Sequence, residues 1–295
     1  MKTIKKFAAL LLAFSLLFAL SACGGKDSPN TPDDSADGHY TIGISQYGEH
    51  GSLDNCREGF LQGLAEEGIV EGENLTVDYQ NAGFDDSIAT QIGQSFSAND
   101  VDLMAAIATP SATACFAAAE DKDIPVIFTA ITDPVGAKLD SGNITGTSDV
   151  LPVEGQLELI RKLQPNASTI GIVYTTSEAN SVYSVGIYES LASKYAFTIE
   201  TVGVTSQAEV TQAVDTLISK GVNCISNLTD NTVVGVLPAI LEKTNDAGVP
   251  VYGSEIEQMK LGCVAGAGLD YIKLGIQTGK MAAKVLRGEA ACQDL

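Results

Sequence analysis

The chain has 295 residues, 45% of them hydrophobic and 18% charged, which supports a sizeable core and, by length, two lobes. Its formal net charge is −20; three of the 17 basic residues (Lys2, Lys5, Lys6) lie in the first six positions, so the rest of the chain carries 14 basic against 37 acidic residues, a net of −23. A body that acidic, with no Lys/Arg cluster, excludes nucleic acid as a partner.

Met1 to Lys6 reads as a basic n-region, and Phe7 to Leu20 is apolar apart from Ser15. That run is too short to span about 30 Å of hydrocarbon, so it reads as an export signal rather than a membrane helix. It ends in Leu20-Ser21-Ala22-Cys23, small residues before a cysteine, and this tetrapeptide resembles the bacterial lipobox. Residues 1–22 are therefore expected to be a lipoprotein signal peptide, with Cys23 the acylated N-terminus that holds the chain on the extracytoplasmic face of the cell membrane. Two acyl chains on that residue anchor stably where one would be marginal. Gly24 to Gly38 has no large apolar residue and cannot offset its ordering entropy, so 23–39 reads as a flexible tether.

From Tyr40 onward, β-branched runs alternate with amphipathic stretches. Expected strands are Thr41–Ser45, Leu75–Gln80, Leu103–Ala108, Pro125–Thr129, Thr169–Tyr174, Thr198–Val204, Cys224–Asn227 and Pro250–Gly253. Expected helices are Cys56–Glu67, Ser87–Ser97, Ser111–Lys122, Val182–Tyr195, Glu209–Lys220, Val233–Ala247 and Asp270–Arg287, the last with Ile272, Ile276, Met281 and Val285 on one side. This alternation predicts an α/β fold, a doubly wound parallel sheet with helices on both faces. The pattern then repeats: Ile42/Ile170, Leu103/Cys224 and Pro125/Pro250 begin matching motifs at offsets of 128, 121 and 125 residues. Three motifs in one order predict two similar lobes joined by a hinge. Gly and Pro place the boundary near Asn143–Pro152 and the return crossing near Val264–Leu269, giving 40–148 plus 265–295 as the first lobe and 149–264 as the second.

Enzyme chemistry finds little support. There is no GxSxG, P-loop or HExxH, and the two histidines, His39 and His50, cannot readily supply a triad or a metal site. Cys56, Cys115, Cys224, Cys263 and Cys292 are odd in number and widely spaced, as expected of buried free thiols. No cofactor is expected.

The stretches "EHGSLDNCREGF", "ATPSATA", "TDPVGAKLDSGNITGTSD", "IVYTTSEANS", "LTDNTVV" and "GLDYIKLGIQTGKMAAKVLRG" resemble the substrate-binding proteins of ABC transporters of the tryptophan/tyrosine type. The resemblance runs from about Tyr40 to Gly288, and "TDPVG" with "NITG" is its most specific part. It implies the two-lobed type I periplasmic-binding fold, and a monomer that hands a small ligand, such as an aromatic amino acid, to a membrane permease. The chain departs from the resemblance by stopping at Leu295, soon after the last helical pattern. The same fold also serves ligand-loaded sensors that dock on a receptor, and importers of other solutes such as nucleosides.

Ligands of open parallel sheets bind beyond the carboxyl ends of the strands. Thr109-Pro110-Ser111 opens a helix there, where free N–H groups and two hydroxyls suit a carboxylate, although Ser111 also suits a plain cap. Asp230, with Asn231, holds the matching corner of the second lobe and is the expected partner of an ammonium group, or else a cap. Tyr47 and Ser52 on the first loop face Glu178 and Asn180 on its counterpart, and Tyr47 is suited to stacking on a ring. Glu255 ends the eighth strand, where its carboxylate is expected to accept a ligand hydrogen bond or else to face solvent. Asp133 sits in an Asp-Pro turn and is expected either to form that turn or, as the resemblance implies, to line the site.

Overall fold

The computed structural model describes residues 38–295; the leader, Cys23 and nearly all of the tether lie outside them. Among the described residues no helix is long and apolar enough to cross a membrane.

The first lobe contains β1 (Tyr40–Gln46), α1 (Gly51–Glu66), β2 (Leu75–Asn81), α2 (Asp86–Ala98), β3 (Leu103–Ile107), α3 (Thr109–Ala119), β4 (Val126–Ile131) and β5 (Ile144–Ser148). Its all-parallel sheet runs β2-β1-β3-β4-β5. The second lobe continues with α4 (Val153–Leu163), β6 (Thr169–Thr175), α5 (Ala179–Ala192), β7 (Thr198–Val204), α6 (Gln207–Ser219), β8 (Cys224–Ser226), α7 (Asn231–Val234), α8 (Leu237–Ala247), β9 (Val251–Glu255), α9 (Ile256–Leu261) and β10 (Ala265–Leu269). Its sheet runs β7-β6-β8-β9-β10, the same topology, and α10 (Tyr271–Leu286) then returns to the first lobe. The sequence repeat is thus a repeat of structure.

Local chemistry explains the elements. Strands β3 and β4 are buried along their whole length because helices cover both faces, so they read as continuous apolar runs, whereas edge strand β2 (LTVDYQN) is largely polar. Asp85 caps α2 by accepting from Ser87 N and Ile88 N. The single helix expected over Val233–Ala247 is instead α7 and α8, because Pro238 lacks an N–H and restarts the helix in its first turn. Helix α4 has no counterpart among the expected helices.

Strands reach into both of the expected hinge segments. Ile144–Ser148 is not part of a linker but pairs with β4, and Ala265–Leu269 pairs with β9 in the second sheet. The second lobe therefore extends to Leu269, and the first lobe resumes at Tyr271 rather than at residue 265. The glycines of β10 serve close approach rather than bending: a Cβ on Gly266 would lie 2.1 Å from Gly253 O, and one on Gly268 would lie 2.0 Å from Ser254 O. The chain crosses between lobes at Asp149–Pro152 and again at Asp270. Tyr271 Oη donates to Asp149 Oδ2 at 2.7 Å, tying the two crossings together.

The packing face of α10 also differs from expectation. Its buried residues are Tyr271, Gly275, Thr278, Gly279, Ala282 and Ala283, with Ile272 and Ile276 only half-buried. Small residues win because α10 lies backbone to backbone on α1: Cβ atoms on Gly59, Gly63, Gly275 and Gly279 would each fall within 2.2–2.3 Å of a carbonyl oxygen of the facing helix. This zipper fixes the returning helix to the first lobe.

Candidate ligand-binding cleft

The carboxyl ends of both sheets meet across a narrow cavity. The first lobe supplies His50, Ser52 and Leu53 at the start of α1, and Ala130 and Thr132 at the end of β4. The second supplies Asn180 from α5, Thr229 and Asn231 around the start of α7, and Glu255 from the end of β9. Asp149 and Tyr271, one at each crossing, close the inner wall.

Two of these groups are acids, and none is Lys or Arg. Asp149 is buried and accepts from Thr132 Oγ1 at 2.9 Å and from Tyr271 Oη. Burial still holds its carboxyl above the ordinary range. Glu255 is also buried; Gln258 Nε2 donates to its Oε1 at 2.9 Å, while Oε2 has no partner. Burial, with lesser repulsion from Asp149 and Glu257, pushes Glu255 up to about 8. Six buried side-chain polar atoms lack a partner among the described residues, and four of them, His50 Nδ1, Ser52 Oγ, Asn180 Oδ1 and Glu255 Oε2, belong to this one cavity. Such atoms ordinarily cost about 1–3 kcal/mol each, so their concentration marks a place built for something else to complete. Helix α1 starts at the same wall, and His50 at its N-cap makes no side-chain cap, leaving the first turn open to an anion.

The lobes touch directly here. His50 Nε2 lies 3.4 Å from Asn231 Oδ1, and Asn55 Nδ2 donates to Glu257 Oε1 at 2.8 Å. The cleft is therefore closed.

The expected site residues divide into two sets. Ser52, Asn180, Asn231 and Glu255 line the cavity. Tyr47, Thr109, Ser111, Asp133, Glu178 and Asp230 do not, and each has another setting. The Asp230 carboxylate caps α7 through Val233 N and also accepts from Thr175 N and Thr175 Oγ1. Glu178 accepts from Asn231 N, Asn231 Nδ2, Thr232 N and Thr232 Oγ1, so it too serves the start of α7. Burial and the nearby Asp230 push Glu178 up to about 7. Tyr47 Oη donates to Asp86 Oδ1 at 2.9 Å, toward the outer mouth of the cleft. Ser45 donates to Ser111 Oγ at 3.1 Å, and Asp133 receives Gly136 N within its own turn. Thr109 lines an outer groove walled by alanines of α3, and its Oγ1 is unpartnered. Sequence reasoning missed His50, Thr132, Asp149, Thr229 and Tyr271 as lining residues. Of these, His50, Thr132 and Thr229 carried a signal, because they lie in strand-end loops.

Two similar α/β lobes closing on a buried polar cavity define a binding protein of the type I periplasmic class rather than an enzyme. The chain belongs to the ABC transporter substrate-binding protein family, whose model matches residues 41–294. It is 36% identical over 297 residues to a tyrosine-binding protein of Clostridioides difficile, covering 97% of this chain and 85% of that one. Among solved structures, an ABC domain from Streptococcus pneumoniae in complex with L-Trp is 37% identical, with 87% of this chain and 88% of the other aligned at a TM-score of 0.83. The ligand-free, open structure of a substrate-binding protein with adhesive properties from Clostridium difficile is 38% identical over 87% and 88% of the two chains, yet its TM-score is 0.63. At nearly equal identity, the chain superposes better on the ligand-bound relative than on the open one, which agrees with the closed cleft.

Proposed function

We propose that this protein is the lipid-anchored receptor of an ABC importer, and that its cleft captures an α-amino acid, L-tyrosine or L-tryptophan foremost, for delivery to a permease. The observation that carries this reading is the imbalance inside the cavity: two buried carboxyl groups face unpartnered acceptors with no cation among them. A ligand ammonium supplies the missing charge and the missing donors together. Glu255 Oε2 and Asn180 Oδ1 would accept from it, with Asp149 adding to the field. Bonding to a cation draws Glu255 back down, so it is ionised in the complex although burial alone pushes it up to about 8. The ligand carboxylate would lie on Ser52 Oγ and the open first turn of α1, where the helix carries about half a positive charge. Because the ammonium groups sit mostly on one lobe and the carboxylate groups on the other, only a ligand that holds both rewards closure. Cys23 keeps the receptor beside the permease, and 23–39 gives it reach.

A thermal-shift screen of residues 39–295 tests this against amino acids, nucleosides and sugars. Binding raises stability by about 2.7 kcal/mol at a ligand concentration one hundred times Kd. Aromatic L-amino acids should give the largest shift; a nucleoside or sugar that shifts the melt while no amino acid does would overturn the reading.

A further inference from the structure

His50 stands at the N-cap of α1, with its ring parallel to Phe84 at 6.5 Å between centroids. Its neighbours determine which nitrogen carries the proton. Asn231 spends its Nδ2 on Glu178 Oε2 at 2.7 Å, so the atom it turns to His50 is the acceptor Oδ1. Nε2 must then bear the hydrogen. In the neutral ring this leaves Nδ1 with a lone pair, and Nδ1 is shut off from solvent, unpartnered, and part of the cavity wall. It is thus an acceptor in the same cavity as Glu255 Oε2 and Asn180 Oδ1.

We propose that His50, in its neutral Nε2–H form, accepts a hydrogen bond at Nδ1 from the ligand's ammonium, so that capture requires an unprotonated ring and weakens in acid. The inference rests on the amino-acid reading above. A protonated ring would present a second cation to the ammonium and a donor where an acceptor is needed. The charged groups around the ring are Asp54 on its own helix, Asp149 at the crossing, Glu255 on β9, and Glu257 on α9, the last engaged by Asn55 and Lys260. Glu178, at the N-cap of α5, reaches it only through Asn231. Burial outweighs the pull of Asp54 and lowers the ring to about 4 in the closed cleft. With the cleft open to water, an ordinary value near 6.5 applies. With Glu255 ionised against the ammonium, the liganded closed form binds fewer protons than the open form, so affinity is level above about pH 7 and falls as pH drops from 6.5 toward 4, roughly tenfold per unit.

The test is calorimetric titration of the protein with L-tyrosine and L-tryptophan at pH 7.5 and 5.5, a span over which both ligands stay zwitterionic. The wild type should bind about tenfold more weakly at pH 5.5, and buffers of different ionisation enthalpy should show close to one proton released there. His50→Gln keeps a donor and an acceptor but does not titrate: it should bind several-fold more weakly at pH 7.5 and show a flattened acid slope. His50→Leu should lose about tenfold or more at both pH values. A wild type with no acid weakening or no proton release overturns the proposal, as does a Gln variant that keeps the full slope. Those failures leave tyrosine binding at pH 7.5 intact; absence of any amino-acid binding at pH 7.5 overturns the amino-acid reading, and this inference with it.

Discussion

Glu255 and Asp230 are both buried acids at strand ends of the second lobe, and their partners separate their roles. Asp230 is saturated by Thr175 and Val233, whereas Glu255 holds one donor and one empty oxygen. Asp230→Ala removes a cap and leaves buried donors unmatched, so urea unfolding should show a loss of about 1–3 kcal/mol. Glu255→Gln should instead weaken an amino acid by roughly 10- to 1000-fold in a binding titration while leaving the unfolding midpoint nearly unchanged. If Asp230→Asn costs as much affinity as Glu255→Gln with no loss of stability, Asp230 is the ammonium partner and the assignment reverses. Ser52, Asn180, Asn231 and Glu255 were legible in the sequence because they follow strands in a repeated pattern, which fixes the end of the sheet they occupy. The same logic could not tell a ligand contact from a cap, since both use Asp or Ser beside free N–H groups. Asp149 and Tyr271 were not legible as lining residues, because they reach the cavity only when the two chain crossings come together.

Among the elements, the packing of α10 on α1 is what couples the return crossing to the first lobe. A side chain at Gly63 or Gly279 would meet a backbone carbonyl at 2.3 or 2.2 Å, and a carbonyl cannot swing aside as a side chain can. Gly279→Val should therefore destabilise the fold by about 2–4 kcal/mol, read as a lowered urea midpoint, and Gly155→Val, where nothing lies within 4 Å, serves as the control. Equal effects at the two positions would contradict the zipper. Eight strands were legible from β-branched runs, yet β5 (ITGTS) and β10 (AGAGL) were not. Both lie at sheet edges, half-buried, with glycines placed for close approach, so neither shows alternation nor a continuous apolar run. Their glycines mimic a hinge signal.

For the molecule as a whole, closure without ligand carries a pH signature of its own. Glu255 is raised by burial, so its contribution to closure without ligand is present in acid and is lost as pH rises toward about 8. Between pH 4.5 and 6.5 the proton expelled from His50 offsets the one taken up by Glu255; above about 6.5 Glu255 dominates. Small-angle scattering of the ligand-free protein should show a radius of gyration that grows between pH 6.5 and 8.5, and Glu255→Gln should remove that growth. An unchanged profile in the wild type would mean that closure does not load Glu255. Attachment is checked separately: the N-terminal peptide from a bacterial membrane fraction should carry a diacylated Cys23, and an unmodified terminus elsewhere in the segment would refute the anchor.

Recognition of the ligand's amino end is the property on which the cleft's proposed role depends. Titration of residues 39–295 with L-tyrosine and with its deaminated analogue, 3-(4-hydroxyphenyl)propionate, at pH 7.5 isolates that end. Loss of the ammonium leaves Glu255 Oε2 and its neighbouring acceptors without donors, so the analogue should bind at least about a hundredfold more weakly. Equal affinity for the two would mean that the buried acids of the cleft do not read an ammonium group.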